Sequence, residues 1–163
     1  MVRAWQNIPI KDCGEQLFPF PSTIKCFDPH PYFSLGAPYG KNANPFRLRI
    51  SALKKLLLAE ASLKKSNPEL RFSVFDAWRP IEVQEFMINH EISKECNSRG
   101  LIFQKKSHEK KIIEVINEVG KFWAPVDNGS KAPPPHSTGG AIDLTLADAK
   151  GKPLFMGSEI DAI

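Results

Sequence analysis

Three stretches of the chain space their apolar residues as a helix does, at intervals of three and four positions. The first lies within 45–67, the second follows Pro80 and ends at 97–100, and the third begins near Ser107. Pro80 suits the first turn of a helix, and Ser107 suits a helix N-cap. The positions behind these predictions are Ile50, Leu53, Leu57 and Ala61, then Val83, Phe86, Met87 and His90, then Ile112, Val115, Ile116 and Val119. His90 lies on the apolar stripe of the second helix, so we expect it to be a core histidine.

Two further stretches alternate apolar and polar residues, which is the pattern of a strand. They are "LRFSVFDAW" at 70–78 and "AIDLTL" at 141–146. In the second stretch Asp143 lies on the face opposite Ile142 and Leu144. We expect this strand to be central in its sheet and partly buried, with "LFM" at 154–156 returning beside it after a turn.

Residues 1–44 differ from the rest of the chain because proline and glycine replace the helical spacing. Each X-Pro step disfavours helix at the preceding residue, so we expect an arm of loops and short strands over a core formed by 45–163. The expected anchors of the arm are Phe18, Phe20, Phe27, Tyr32 and Phe33, and His30 is expected to be structural or exposed. The chain is predicted to be one α+β domain, 1–163, with a small, mainly antiparallel sheet and helices on one side.

Composition and charge narrow the possible partners. Of 163 residues 42% are hydrophobic and 25% are charged, which is typical of a globular protein. The net charge of +4 is spread along the chain, so we predict no nucleic-acid partner. No leader-like segment and no run of about 20 apolar residues is present, which predicts a cytoplasmic protein without a membrane anchor unless a leader was removed. Three scattered cysteines, Cys13, Cys26 and Cys96, are expected to be reduced thiols.

His136 and Asp143 are the candidate functional residues, since they flank the pair Gly139–Gly140 in "PPPHSTGGAIDLTL". The glycines permit a sharp turn that can bring the imidazole back beside the carboxylate. A partly buried carboxylate needs a cation, several hydrogen-bond donors or a metal ion. Two interpretations follow from the residues alone. Either the pair binds zinc, or Asp143 only accepts a hydrogen bond from the imidazole and fixes the loop.

This stretch resembles the S-x-H-x-x-G-x-A-x-D signature of the zinc D-alanyl-D-alanine peptidases. "VFDAWRP" at 74–80 looks like the Y-D-A-Y-R-P segment of the D-Ala-D-Ala dipeptidase branch, and "PYGKNANPFRLRISALKKLLLA" is also similar to that branch. The resemblance runs from about Pro38 to Gly157. The signature positions matched are His136, Gly139, Ala141 and Asp143.

The resemblance implies a fold, a cofactor and an activity. The fold would be that of the D-Ala-D-Ala peptidases, also called hedgehog-like. His136 and Asp143 would be two of three protein ligands of a catalytic zinc ion, and Arg79 would stabilise the oxyanion of the reaction. A structural salt bridge between Arg79 and Asp76 is the alternative for that arginine. The implied reaction is zinc-dependent hydrolysis of the small peptide D-Ala-D-Ala in cell-wall metabolism.

The chain departs from the family pattern at two points. Pro134 replaces the first serine of the signature, which removes a hydroxyl that would contact substrate. The downstream E-x-x-H, which supplies the general base and the third zinc ligand in the family, does not follow Asp143. We therefore expect the C-terminal part of the fold, including a strand, to be missing. The chain is then either the front portion of a longer product or a degenerate relative.

Two alternative functions remain open at the level of the sequence. The same ligands could serve a D,D-carboxypeptidase or peptidoglycan endopeptidase. A truncated chain could instead be a catalytically silent binding module that holds a ligand through Arg79 and the His136 loop.

Overall fold

The computed structural model describes residues 8–41, 43–126, 132–158 and 160. Contacts divide the chain into two compact units, 1–10 with 81–134 and 11–80 with 135–163. Single-domain organisation therefore stays a prediction, and each unit is described by itself. The elements in chain order are β1 (Leu17–Pro19), β2 (Lys25–Cys26), α1 (Pro31–Ser34), β3 (Arg47–Arg49), α2 (Ile50–Ser66), β4 (Leu70–Asp76), α3 (Ile81–Ser98), α4 (Glu109–Phe122) and β5 (Asp143–Asp148).

The unit formed by 11–80 and 135–163 contains two small sheets. β1 pairs with β3 in antiparallel fashion, and a three-stranded sheet has the order β2-β4-β5. β4 is antiparallel to β5 and parallel to β2, so pairing is mainly antiparallel. The β4–β5 register shifts between Val74 and Asp76, after which Asp76 lies opposite Asp143. This irregularity lies at the end of the sheet where the candidate residues are found.

The core of this unit lies between α2 and the strands. Leu53 of α2 is buried as predicted, but the next buried positions are Leu56 and Glu60, not Leu57 and Ala61. Glu60 accepts a hydrogen bond from the backbone N–H of Phe72 on β4, which explains why a carboxylate lies on the sheet-facing side. The buried core residues are Ile24, Leu48, Leu53, Leu56, Val74 and Ala77.

The other unit contains α3 and α4, which pack against each other. Both helices occur where the sequence predicts them. Ile116 is exposed rather than buried, and the N-cap of α4 is His108 instead of Ser107, because Lys106–His108 forms a 3-10 turn first. His90 is half-exposed and hydrogen-bonds Glu91, so the prediction of a core histidine there is wrong.

The α+β class and the loop-rich arm are confirmed. Among the arm's expected anchors Tyr32 is buried, whereas Phe18 and Phe33 are exposed. The predicted return strand at 154–156 is wrong, because only an isolated bridge between Ala147 and Pro153 forms there. No helix in the described part of the chain combines the length and apolarity that crossing a membrane requires.

Candidate metal centre

A short loop at 135–140 carries His136 and is fixed at both ends. Pro135–Thr138 forms a 3-10 turn, and the backbone N–H of Gly139 donates to the carbonyl of His136 at 3.1 Å. Arg49 on β3 donates two hydrogen bonds to the loop. Its Nε donates to the Thr138 carbonyl at 2.6 Å, and its backbone N–H donates to the Gly139 carbonyl at 2.9 Å. Gly139 has a φ of +72°, the left-handed conformation that glycine adopts at little cost.

Asp143 is the first residue of β5. β5 is at the edge of the described three-stranded sheet, so the prediction of a central strand is wrong; β4 occupies the centre. The edge position leaves the Asp143 side chain 38% exposed. Its carboxylate is therefore accessible from outside the sheet, while its backbone remains fixed by pairing with Asp76.

The hydrogen bonds of His136 determine which ring nitrogen carries the proton. Nδ1 lies 2.7 Å from the carbonyl oxygen of Ala77, which can only accept, so Nδ1 donates the hydrogen bond. In the neutral ring Nε2 is then unprotonated. Nε2 lies 3.3 Å from Oδ2 of Asp143. A lone pair on nitrogen and a carboxylate oxygen thus face each other, as the turn at the glycine pair predicts.

The charges around His136 favour its protonated form. Burial lowers the pKa of the imidazole, and Arg79 acts in the same direction. The hydrogen bond to Asp143 and the negative charges of Asp143 and Asp76 outweigh them, so the pKa of His136 lies above its ordinary value. A proton on Nε2 forms a hydrogen bond to Oδ2 of Asp143, so that the nitrogen and the oxygen no longer face each other as two acceptors.

Asp76 is the most enclosed charge of the site, with 0% of its side chain exposed. Its Oδ1 accepts from Nε2 of His30 at 3.1 Å and from the Tyr39 hydroxyl at 3.3 Å. Its Oδ2 accepts from Nε and Nη2 of Arg79 at 3.0 and 2.6 Å. Burial raises the pKa of Asp76, but the hydrogen bond from His30 and the charge of Arg79 outweigh it and hold the pKa below its usual range.

Arg79 connects the two carboxylates. It is buried, it forms the salt bridge to Asp76 that the sequence left open as an alternative, and its Nη2 also lies 3.8 Å from Oδ2 of Asp143. Nη2 donates to the Tyr32 hydroxyl at 3.1 Å, and the guanidinium carbon lies 4.9 Å from the centre of the Tyr32 ring. Arg79 is therefore a fixed positive charge at the edge of the His136–Asp143 pair.

Three residues at this point offer ligand atoms that all lie within 4.8 Å of one another: Asp76, His136 and Asp143. Asp76 is poorly suited to bind an ion, because four donors already occupy its two oxygens. His136 Nε2 and Asp143 Oδ2 remain as the pair with accessible lone pairs. Their 3.3 Å separation is close to the roughly 3.4 Å between two ligands of one tetrahedral zinc ion.

The sequence did not reveal every residue of this centre. The sequence indicates Asp76 only as a partner of Arg79, and it does not indicate that His30, Tyr39 and Arg49 belong to the centre. A polar residue before a proline is an N-cap signal that fits His30, which caps α1 by accepting from the backbone N–H of Tyr32. Nothing in the local sequence indicates its second contact, which reaches Asp76 across 46 positions.

A model of one protein family matches residues 37–163, which is most of the chain; its description is D-Ala-D-Ala dipeptidase. This chain belongs to that family. The matched range includes Asp76, Arg79, His136 and Asp143.

A relative in the same family is the D-alanyl-D-alanine dipeptidase of Synechocystis sp., which is 42% identical over 163 residues. The alignment covers 99% of this chain and 65% of the relative, so the chain spans slightly less than two thirds of that protein's length.

Among solved structures, a variant of the vancomycin resistance D,D-pentapeptidase VanY in complex with Zn(II) aligns with a TM-score of 0.48 at 12% identity. That alignment covers 83% of this chain and 60% of the VanY chain.

Proposed function

We propose that the protein hydrolyses the dipeptide D-Ala-D-Ala in cell-wall metabolism, with zinc bound by His136 and Asp143. The observation that carries the proposal is the approach of His136 Nε2 to Asp143 Oδ2 at 3.3 Å, with the other ring nitrogen of His136 bound to the Ala77 carbonyl. Membership of the dipeptidase family and the name of the Synechocystis relative support the choice of substrate.

His136 and Asp143 fit a zinc ion by chemistry as well as by separation. A neutral imidazole whose other nitrogen donates to a backbone carbonyl is a common arrangement in zinc proteins, since it orients the ring. When bound, zinc would polarise a peptide carbonyl and lower the pKa of its water toward neutrality. The Ala77 carbonyl keeps the proton of His136 on Nδ1 and leaves Nε2 for the ion.

Arg79 would act on the charge that develops during hydrolysis. Its guanidinium is held by Asp76 and Tyr32, so little reorganisation is needed when an oxyanion forms beside it. The 3.8 Å distance between its Nη2 and Asp143 Oδ2 puts this positive charge close to the proposed ligand pair. A buried, preorganised arginine is stronger in this role than one in water.

A catalytic zinc ion needs a third protein ligand, and hydrolysis needs a general base. No histidine follows Asp143 in this sequence. Zinc binding and activity are both tested on the full product of the gene. Tight zinc binding and turnover by the complete protein would support the proposal, and the absence of both would favour a silent binding module.

The ligand assignment is tested by zinc content. In the complete protein, His136→Ala and Asp143→Ala are each expected to weaken zinc binding by at least about tenfold, because each removes one of the few ligands. His90→Ala is the matched control, since it removes a half-exposed histidine from the other unit. Unchanged zinc content in His136→Ala would refute the assignment.

The substrate is tested by offering free D-Ala-D-Ala beside a muropeptide that ends in the same dipeptide. Faster cleavage of the free dipeptide is expected for a dipeptidase. Preferential cleavage of the muropeptide would identify a D,D-carboxypeptidase or endopeptidase with the same ligands.

We also propose that the enzyme acts in the cytoplasm. The three thiols Cys13, Cys26 and Cys96 are all free, which supports a reducing compartment. Cell fractionation with an antibody against the protein tests this, and recovery outside the cytoplasmic fraction would contradict it.

A further inference from the structure

His30 lies in the arm, far along the chain from the candidate metal centre, yet it contacts that centre through Asp76. It is buried, and both of its ring nitrogens are used. Nδ1 accepts the backbone N–H of Tyr32 at 3.2 Å, so this nitrogen carries no proton. The proton is therefore on Nε2, which donates to Oδ1 of Asp76 at 3.1 Å.

Aromatic rings hold the imidazole of His30 in this orientation. Four rings lie with their centroids 5.0 to 5.6 Å from it in edge-to-face or tilted geometry, an arrangement that restricts ring rotation. The four rings are those of Tyr32, Phe33, Tyr39 and Phe46.

Asp76 connects the fixed imidazole of His30 to Arg79 through hydrogen bonds. Its Oδ1 receives two donors, His30 and Tyr39, and its Oδ2 receives two nitrogens of Arg79. Burial raises the pKa of the Tyr39 hydroxyl, so that group keeps its proton and remains a donor. A carboxylate held at one oxygen cannot rotate freely, so the direction of its second oxygen, and with it the plane of the guanidinium, is fixed.

We infer that His30 is a positioning residue of the catalytic centre: by donating to Asp76 Oδ1 it orients Arg79 toward the His136–Asp143 pair. Tyr39 assists as the second donor to the same oxygen. The inference rests on the proposed function for its catalytic consequence, but the geometry that it predicts for Arg79 exists in the protein without substrate.

A purely structural role for His30 would be the capping of α1, and the two roles use different ring nitrogens. His30→Asn keeps an acceptor for the Tyr32 N–H, since asparagine is a good N-cap, but is too short to reach Asp76. His30→Gln keeps a donor at a reach similar to Nε2 and loses the cap. The pair of variants therefore separates positioning from capping.

The first measurement is steady-state hydrolysis of D-Ala-D-Ala by the complete, zinc-loaded protein. We expect His30→Asn to lower kcat about 10- to 100-fold with KM and zinc affinity changed less than about threefold, since misorientation of a charge affects the transition state most. His30→Gln is expected to retain kcat within about threefold. Loss of activity in the glutamine variant, or equal activity in both variants, would overturn the inference.

The second measurement does not depend on activity. In zinc-free protein, hydrogen exchange of the Arg79 Nε–H, followed by NMR, is expected to be faster in His30→Asn than in wild type and nearly unchanged in His30→Gln. Equal exchange in all three proteins would overturn the positioning role. If the wild type neither binds zinc nor hydrolyses the dipeptide, the proposed function fails, while the exchange experiment still decides the role of His30.

Should His30→Asn fail to fold, His30→Ser replaces it, because serine is also a good N-cap and is too short to reach Asp76. Faster exchange at Arg79 Nε–H in His30→Ser supports the inference, and unchanged exchange contradicts it.

Discussion

Asp76 and Asp143 lie opposite each other on neighbouring antiparallel strands, but only Asp76 is sealed from solvent. Like charges directly opposite on a sheet repel, and here Arg79 lies between them. Asp76 has its oxygens filled by four donors, whereas Asp143 presents an accessible oxygen to Nε2 of His136. Burial thus leaves one carboxylate to hold Arg79 and the other accessible for the proposed metal ion.

Replacement of Asp76 by asparagine is expected to destabilise the protein strongly. The change leaves the buried guanidinium of Arg79 without its counter-ion, and breaking a buried ion pair typically costs about 3–5 kcal/mol. Urea denaturation of the zinc-free protein measures the effect. Glu118→Gln is the matched control, because it breaks the exposed ion pair with Arg99 and should cause no comparable loss. Equal effects of the two changes would contradict this account of Asp76.

His136 is expected to titrate above the ordinary imidazole value of 6.5 in the zinc-free protein, because Asp143 and Asp76 outweigh burial and Arg79. The raised pKa stabilises the fold fully below pH 6.5, and this contribution is lost as the pH rises through the raised value. Zinc affinity depends on pH in the opposite direction. A proton on His136 competes with the ion, so zinc binding weakens as the pH falls through the raised pKa.

NMR titration of the imidazole measures this pKa. Asp143→Asn should lower it, since the change removes the carboxylate that faces Nε2. A midpoint at or below 6.5 in the wild type, or one that Asp143→Asn leaves unchanged, would show that the facing charges do not control His136.

Gly139→Ala is expected to cost about 1–2 kcal/mol of folding free energy, because φ at this position is +72° and an L side chain rarely adopts that conformation. A methyl group there would also meet the side chains of Leu17 and Arg49. Gly140→Ala is the control, since its φ is not positive and its added carbon would meet only Thr138. Thermal unfolding of both variants tests the difference, and an equally large loss for Gly140→Ala would argue against a special need for glycine at 139.

The three thiols should differ in reactivity. Cys13 is exposed, whereas burial raises the pKa of Cys26 to about 11 and Cys96 is fully buried. At pH 7.5 a thiol of that pKa is thiolate in only about one molecule in three thousand. Iodoacetamide should therefore alkylate Cys13 first, as mass spectrometry of the digested protein can show. Labelling of Cys26 at the same rate as Cys13 would contradict the burial of that thiol.

The sequence by itself determined the three long helices, two strands of the sheet and the meeting of His136 with Asp143. Spacing of three and four residues located α2, α3 and α4, and alternation located β4 and β5, because these periods follow from backbone geometry alone. A glycine pair between His136 and Asp143 was sufficient to predict that they meet. They lie only seven positions apart, so the outcome depended on local chain geometry.

Only the tertiary structure decided what surrounds that pair. The edge position of β5 depends on which strands pair, and the exposure of Asp143 follows from it. The contact of His30 with Asp76 joins residues 46 positions apart, and Arg49 reaches Thr138 across 89 positions. Such contacts are set by the packing of side chains from separate elements, and no local period in a sequence records which elements will pack together.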